Sequence, residues 1–75
     1  HSQAIFTMSG EGEIASLLER ITKAFPGVMV GSYVKWKAKD YRTKVTFDGN
    51  DPDAVAKAAD MLVDELSPDL FVRRE

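Results

Sequence analysis

Residues 28–48 constrain the fold more than any other part of this 75-residue chain. Both ends of the stretch are rich in β-branched and aromatic residues, which favour strands, and its middle is a charged turn. The turn contains Lys35, Lys37, Lys39 and Asp40. The stretch therefore predicts a β-hairpin. Because a helical pattern lies on each side of it, we expect the hairpin at the centre of a small α+β sheet.

Side chains in each strand of the hairpin alternate between two faces of the sheet. In the first strand, the face expected in the core carries Val28, Val30, Ser32, Val34 and Trp36. In the second strand, the inward face is expected to carry Tyr41, Thr43, Val45 and Phe47. Arg42 and Lys44 are then expected to point outward, so the hairpin presents basic side chains on the open side of the sheet.

A strand and a helix are predicted before the hairpin. The apolar run at residues 4–8 predicts a strand, which the following Ser-Gly-Glu-Gly ends. From Glu11 to Phe25, apolar residues recur every three or four positions, which predicts an amphipathic helix. Ser9 is its expected N-cap.

After the hairpin, Asp51 and Pro52 predict the start of a second amphipathic helix, and residues 70–73 predict a last strand. The order β-α-β-β-α-β is that of the ferredoxin-like split βαβ fold, which belongs to the α+β class. Right-handed crossovers would place both helices on one face of a four-stranded antiparallel sheet and leave the other face open.

Composition limits the partners and the location. The formal net charge of −2 argues against a dedicated nucleic-acid binder, which needs a surplus of Lys and Arg. The absence of cysteine is compatible with a reducing cytoplasm, where we expect the protein. No apolar run approaches the roughly 18 to 20 residues that span a bilayer, so no membrane partner is expected. Because the sequence starts at His1 without Met, we predict that residues 1–2 are a cloning remnant and residues 3–75 one small domain excised from a longer protein.

The sequence does not predict catalytic chemistry. The one histidine is His1, so the sequence has no Ser-His or His-metal arrangement. Two carboxylate pairs, Asp51 with Asp53 and Asp64 with Glu65, suit helix capping and a solvated face better than an acid–base pair or a cation site. We therefore predict no catalytic residues, no metal and no cofactor.

A glycine-rich loop is a weaker candidate for a binding site. Ser9-Gly10-Glu11-Gly12 opens a helix after a strand, where such loops can bind phosphate. The loop lacks the third glycine of the dinucleotide fingerprint and the lysine of a P-loop, and Glu11 and Glu13 would repel an anion. A flexible helix entry is the favoured interpretation.

The sharpest polar cluster of the sequence is basic and lies on the hairpin. It comprises Lys35, Lys37, Lys39, Arg42 and Lys44, interleaved with aromatic residues. A nucleic-acid or phosphate-ligand module that uses this face is the alternative function. RNA-recognition modules share the element order, yet the third strand lacks their Gly-aromatic motif. Lysines that protect a strand edge from pairing also explain the cluster.

Several short segments carry a family resemblance. They are Val30-Gly31-Ser32-Tyr33, Trp36, residues 41–47 and Asp48-Gly49-Asn50-Asp51-Pro52. Together they resemble the small domain that follows the molybdopterin-binding-like domain in the competence/damage-inducible protein A family. They are also similar to the tail of that domain in eukaryotic FAD synthases. In this sequence Val34 stands where the family usually has Pro.

The resemblance implies a non-catalytic accessory or interaction domain of a nucleotide-related protein. In that family the pyrophosphatase-like chemistry belongs to the preceding domain, deamidation to a following domain and FAD synthesis to a separate one. The implied roles are packing against the preceding molybdopterin-binding-like domain, shaping a homo-oligomer, or lining a site made elsewhere. The candidate interface or ligand residues are Gly31, Ser32, Tyr33 and Trp36. Gly31 is expected to allow close backbone packing.

Overall fold

The computed structural model describes residues 1–35 and 39–75, which form a four-stranded antiparallel sheet and two helices. In chain order the elements are β1 (Ser2–Thr7), α1 (Glu11–Ala24), β2 (Val28–Val34), β3 (Thr43–Gly49), α2 (Pro52–Glu65) and β4 (Phe71–Arg74). The strand order across the sheet is β2-β3-β1-β4. This is the ferredoxin-like split βαβ arrangement, so the predicted α+β fold class is confirmed.

The predicted hairpin is also confirmed. β2 and β3 pair without a register shift from Val28 opposite Gly49 to Val34 opposite Thr43. On its other side β3 pairs with β1, and β1 pairs with β4. β3 and β1 are therefore the central strands, and β2 and β4 are the edges.

The core lies between one face of the sheet and the two helices. Ile5, Val45 and Phe47 supply the sheet side and have no exposed surface. The helices contribute the stripes that their sequence periodicity predicts, with buried Ile14, Ile21, Val55, Ala58, Ala59 and Leu62. Of the helices described, each with 14 residues, neither is long and apolar enough to cross a membrane.

The two helices begin differently. α2 begins as predicted, because the Asp51 side chain accepts a hydrogen bond of 3.0 Å from the Asp53 amide and Pro52 follows it. In α1 the predicted N-cap is wrong: Gly10 occupies that position and forms no side-chain cap. Ser9 is unavailable as a cap because it is buried and its hydroxyl bonds the Thr7 hydroxyl at 3.1 Å.

Ser9 belongs to a buried hydroxyl cluster that also includes Thr7 and Thr43. The Ser9 amide donates to the Thr7 hydroxyl at 3.0 Å, and the Thr43 hydroxyl donates to the Ser9 carbonyl at 2.7 Å. The Thr7 hydroxyl also donates to the Leu70 carbonyl at 2.8 Å. The cluster thus joins the end of β1, the entry to α1, the first residue of β3 and the turn before β4.

Thr43→Val should lower the free energy of unfolding by about 1–3 kcal/mol, because a buried donor to the Ser9 carbonyl is replaced by a methyl group. Urea unfolding followed by circular dichroism measures the change. Thr22→Val is the matched control, since the Thr22 hydroxyl makes a similar bond of 2.9 Å to the Leu18 carbonyl on the exposed side of α1. Its effect should stay within about 0.5 kcal/mol. Equal losses in the two variants would contradict the role given to the buried cluster.

Candidate functional site

The face of the sheet opposite the helices carries side chains in three rows that cross the strands. The first row is Tyr33, Lys44, Phe6 and Arg73; the second is Gly31, Thr46, Ala4 and Glu75; the third is Met29, Asp48 and Ser2. Most side chains of the middle row are small. A depression of about 250 Å³ lies there, between the positive charge of Lys44 and the negative charges of Asp48 and Glu75.

A cluster of cations and aromatic rings occupies one end of this face. We define the cation–aromatic cluster as Phe6, Tyr41, Lys35, Lys44 and Arg73. The two rings meet edge to face, with centroids 4.8 Å apart and planes inclined by 72°. The Arg73 guanidinium carbon lies 4.0 Å from the Phe6 centroid, Lys44 Nζ lies 5.6 Å from it, and Lys35 Nζ lies 5.1 Å from the Tyr41 centroid.

The cluster covers Phe6 almost completely. Only 4% of Phe6 is exposed, although it lies on the face of the sheet opposite the helices. Cations attract the negative face of an aromatic ring, so the three positive groups are held above the rings without each having a carboxylate partner. Arg73 alone of these cations has such a partner within the described residues, with Nε 2.6 Å from Glu75. The cluster therefore offers positive charge but no uncovered ring face at Phe6.

The structure brings together only part of the basic patch predicted from the sequence. Lys35 and Lys44 belong to the cation–aromatic cluster. Lys39 is exposed, and the Arg42 guanidinium lies beside Gly10 at the start of α1. Lys37, like Trp36, lies outside the described residues.

The predicted orientation of Tyr41 and Arg42 is wrong. Tyr41 contacts Phe6 on the open face, and Arg42 lies near Gly10 at the start of α1. The reason is a bend at residue 42: the Arg42 carbonyl accepts from the Lys35 amide, whereas its own amide donates to the Thr7 carbonyl. In a regular strand both groups point to the same neighbour. The side-chain alternation therefore does not extend from β3 back to Tyr41.

Arg42 changes the charge at the glycine-rich loop. Its guanidinium carbon would lie 3.6 Å from a Cβ added to Gly10, and a Glu13 carboxylate oxygen would lie 3.4 Å from the same point. These groups line a depression of about 330 Å³ together with Glu11, Gly12 and Val34. Because two glutamates and one arginine share the position, negative charge still exceeds positive charge there.

The interface candidates predicted from the sequence fall on two sides of the sheet. Gly31 and Tyr33 are on the open face, where 61% of Tyr33 is exposed. Ser32 is on the helix side and donates to a Glu11 carboxylate oxygen at 3.1 Å. Gly31 packs closely, but against side chains rather than backbone: an added Cβ would lie 3.1 Å from Thr46 Oγ1 and 3.6 Å from Tyr33 Oη.

Three members of the cation–aromatic cluster, Phe6, Tyr41 and Arg73, were not among the predicted site residues. Alternation with the core residue Ile5 would have indicated that Phe6 faces away from the helices. Arg73 gave no such signal, because its position opposite Phe6 depends on an irregularity in the pairing of β1 with β4. Met29, with 77% of its surface exposed, also lies on the open face and was not selected as a site residue.

The carboxylates of the predicted pairs have local roles. Asp51 caps α2, and Glu65 lies 3.9 Å from Arg20. Across residues 1–35 and 39–75, no group of three or more His, Cys, Asp or Glu side chains is arranged to hold a metal ion.

The fold and this surface define a class: a small split βαβ domain whose open face carries a cation–aromatic cluster and exposed apolar side chains. Residues 1–75 match the model of the family described as FAD synthase, middle domain, and the chain belongs to that family. A middle domain has neighbouring domains in its parent chain. A comparison with curated proteins found no match.

Arg73→Ala should destabilise the chain by about 0.5–2 kcal/mol, because it removes the guanidinium above Phe6 and exposes the ring to water. Chemical denaturation measures the loss. Arg20→Ala is the matched control, since Arg20 lies on α1 and its 3.9 Å ion pair is exposed. It should change stability by less than about 0.5 kcal/mol. The cluster has no structural role if the two substitutions cost the same.

Proposed function

We propose that this chain is a non-catalytic accessory domain that acts through contacts with other protein surfaces in a nucleotide-related protein. The observation that carries the proposal is the match of all 75 residues to the FAD synthase middle domain family. The resemblance to the competence/damage-inducible protein A family supports a parent chain in which a molybdopterin-binding-like domain comes first. The proposal places the protein in the cytoplasm.

The open face supports a contact role. Met29 and Tyr33 expose apolar surface on β2, and methionine and tyrosine are enriched where proteins meet. The cation–aromatic cluster adds charge at one end of the same face. Gly31 lies between these two exposed residues, and because it has no side chain, nothing protrudes from the sheet at this position. On this proposal the interface candidates are Gly31, Tyr33 and Trp36, of which Trp36 lies outside the described residues. Ser32 instead stabilises the contact between β2 and α1 through its bond to Glu11.

Incubation of the chain with FAD, ADP-ribose or NMN and Mg²⁺ should give no turnover above a control that contains an unrelated protein purified in the same way. Chromatography of the nucleotide products measures the result. Product formation that scales with the concentration of the chain would refute the accessory role. A heat-denatured sample of the same chain controls for trace contamination.

A second function, binding of a phosphate-bearing ligand, is favoured by one observation. Lys35, Lys44 and Arg73 converge on two adjacent rings in a chain whose formal net charge is −2. Converging cations repel one another; the two ring faces and Glu75 offset part of this repulsion, and a bound anion would offset more of it. Because Phe6 is covered, this site would recognise phosphate charge and would not stack a base on that ring.

On this second function, the Lys35→Glu/Lys44→Glu variant should weaken binding of a labelled single-stranded oligouridylate by about tenfold or more. Fluorescence anisotropy at several salt concentrations measures the affinity, which should fall as salt rises. The control is Lys23→Glu/Lys57→Glu, which changes the net charge equally but on the two helices. No binding at low salt, or equal weakening by both variants, would eliminate this function.

A further inference from the structure

The two edges of the sheet differ in how they are protected from pairing. β4 has four residues, includes Arg73 and Arg74, and pairs irregularly with β1. Short length, charge and irregularity are the features by which proteins discourage pairing at an edge. β2 has seven residues, Val-Met-Val-Gly-Ser-Tyr-Val, without a charge, a proline or a register shift. In the described part of the chain, β2 pairs only on its β3 side.

The hydrogen-bonding groups at the outer edge of β2 follow from its register. The Lys35 amide donates to the carbonyl of Arg42 opposite it, which shows that the backbone groups of Lys35 point toward β3, although the Arg42 amide bonds Thr7 and does not return the bond. This direction alternates from residue to residue along an antiparallel ladder, which assigns Tyr33, Gly31 and Met29 to bonds with β3. The amides and carbonyls of Val30, Ser32 and Val34 therefore point to the outer edge.

We propose that the outer edge of β2 pairs with β2 of a second copy of this chain, antiparallel and around a two-fold axis at Gly31. The two sheets would then form one continuous sheet. The inference rests on the proposed accessory role and deepens it, because it names a partner for the contact surface. Strand addition at a free edge is a recurrent mode of protein recognition.

This register satisfies the outward-pointing groups of both copies. Val30 lies opposite the second copy's Ser32, and Val28 lies opposite the second copy's Val34. Val30, Ser32 and Val34 point both backbone groups outward, whereas Val28 offers only its carbonyl, because its amide donates to the Phe25 carbonyl at 2.9 Å. The four facing pairs therefore form about six hydrogen bonds between the copies. Gly31 faces its own counterpart at the axis. All seven residues of β2 take part, which no shifted register achieves.

The same register pairs the two most exposed apolar side chains of β2. Met29 lies opposite the second copy's Tyr33 on the open face, and Tyr33 lies opposite the second copy's Met29. Their exposed fractions are 77% and 61% in the single chain. A thioether packs favourably against an aromatic ring. Because Gly31 has no side chain, nothing at the axis separates the two Met–Tyr contacts.

Charge at the two ends of β2 favours a second copy as the partner. The end at Val34 continues into Lys35 and Lys39, whereas the end at Val28 lies beside Asp48. Antiparallel pairing brings Lys35 of each copy toward Asp48 of the other, at an end where the terminal ammonium of His1 also lies and donates to the Gly49 carbonyl at 2.9 Å. A depression of about 490 Å³, lined by Gly27, Met29 and Asp48 among others, lies at the end that receives Lys35 of the second copy.

Sedimentation of the chain between about 5 μM and about 1 mM tests the pairing, because a small interface of this kind is expected to be weak. The average mass should rise from 8.3 kDa toward twice that value. Met29→Lys/Tyr33→Lys places lysine opposite lysine in both Met–Tyr contacts and should raise the dissociation constant at least about tenfold. Met29→Lys/Tyr33→Glu places lysine opposite glutamate and should restore association.

The charge-swap pair is specific to this register, because β2 residues 29 and 33 face each other only across the proposed axis. Met8→Lys is the control, since Met8 is also exposed but lies after β1. It should leave the dissociation constant unchanged. Circular dichroism verifies that each variant is folded. Hydrogen exchange tests the pairing on the unmodified chain. Protection of the backbone amides of Val30, Ser32 and Val34 should increase with the concentration of the chain.

A chain that stays monomeric up to about 1 mM would overturn the proposal, as would equal association of the two double variants. Exchange at Val30, Ser32 and Val34 that is independent of concentration would also overturn it. These outcomes are separate from those of the turnover assay. An active chain could still pair through β2, and an inactive chain could remain a monomer.

Discussion

The buried hydroxyls of Thr7, Ser9 and Thr43 are the constraint on which the arrangement of the chain depends. They lie at the end of β1, just before α1 and at the start of β3, and the Thr7 hydroxyl also donates to the Leu70 carbonyl in the turn before β4. Three polar side chains in a core this small would be costly if any lacked a partner. Because their bonds are mutual, the direction in which α1 leaves β1 and the position of β3 beside β1 are fixed together.

The open face is organised by a different principle. Its central aromatic residue, Phe6, is covered by cations and by Tyr41, whereas the exposed apolar side chains, Met29 and Tyr33, stand on the edge strand. The middle of the sheet is thus covered by the chain's own side chains. Apolar surface available to another protein is concentrated at β2, where the backbone also has an unprotected edge. The two properties coincide on one strand, so a protein that pairs with this edge would also cover Met29 and Tyr33.

The sequence predicted those parts of the fold in which a regular period continues without interruption. The helix stripes, the hairpin and the Asp51 cap each follow from spacing or from one local bond, and the structure confirms them. The Ser9 cap and the inward Tyr41 were wrong because competing hydrogen bonds prevailed there: the Ser9 hydroxyl bonds the Thr7 hydroxyl two residues before it, and the Arg42 amide donates to the Thr7 carbonyl of β1. Arg73 could not be placed over Phe6 without knowledge of an irregular register.

The pairing of β1 with β4 has a mechanical consequence. Ala4 and Glu75 exchange two backbone hydrogen bonds of 2.8 Å, so the first and last strands of the domain begin and end side by side. Neighbouring domains would be attached at adjacent points, at the end of the sheet where β1 begins and β4 ends. A force that separates such neighbours would break the β1–β4 hydrogen bonds one after another. The hydrogen bonds between β1 and β3 would break only after them. The domain would then yield first at its shortest strand, while the β2–β3 hairpin carried no load.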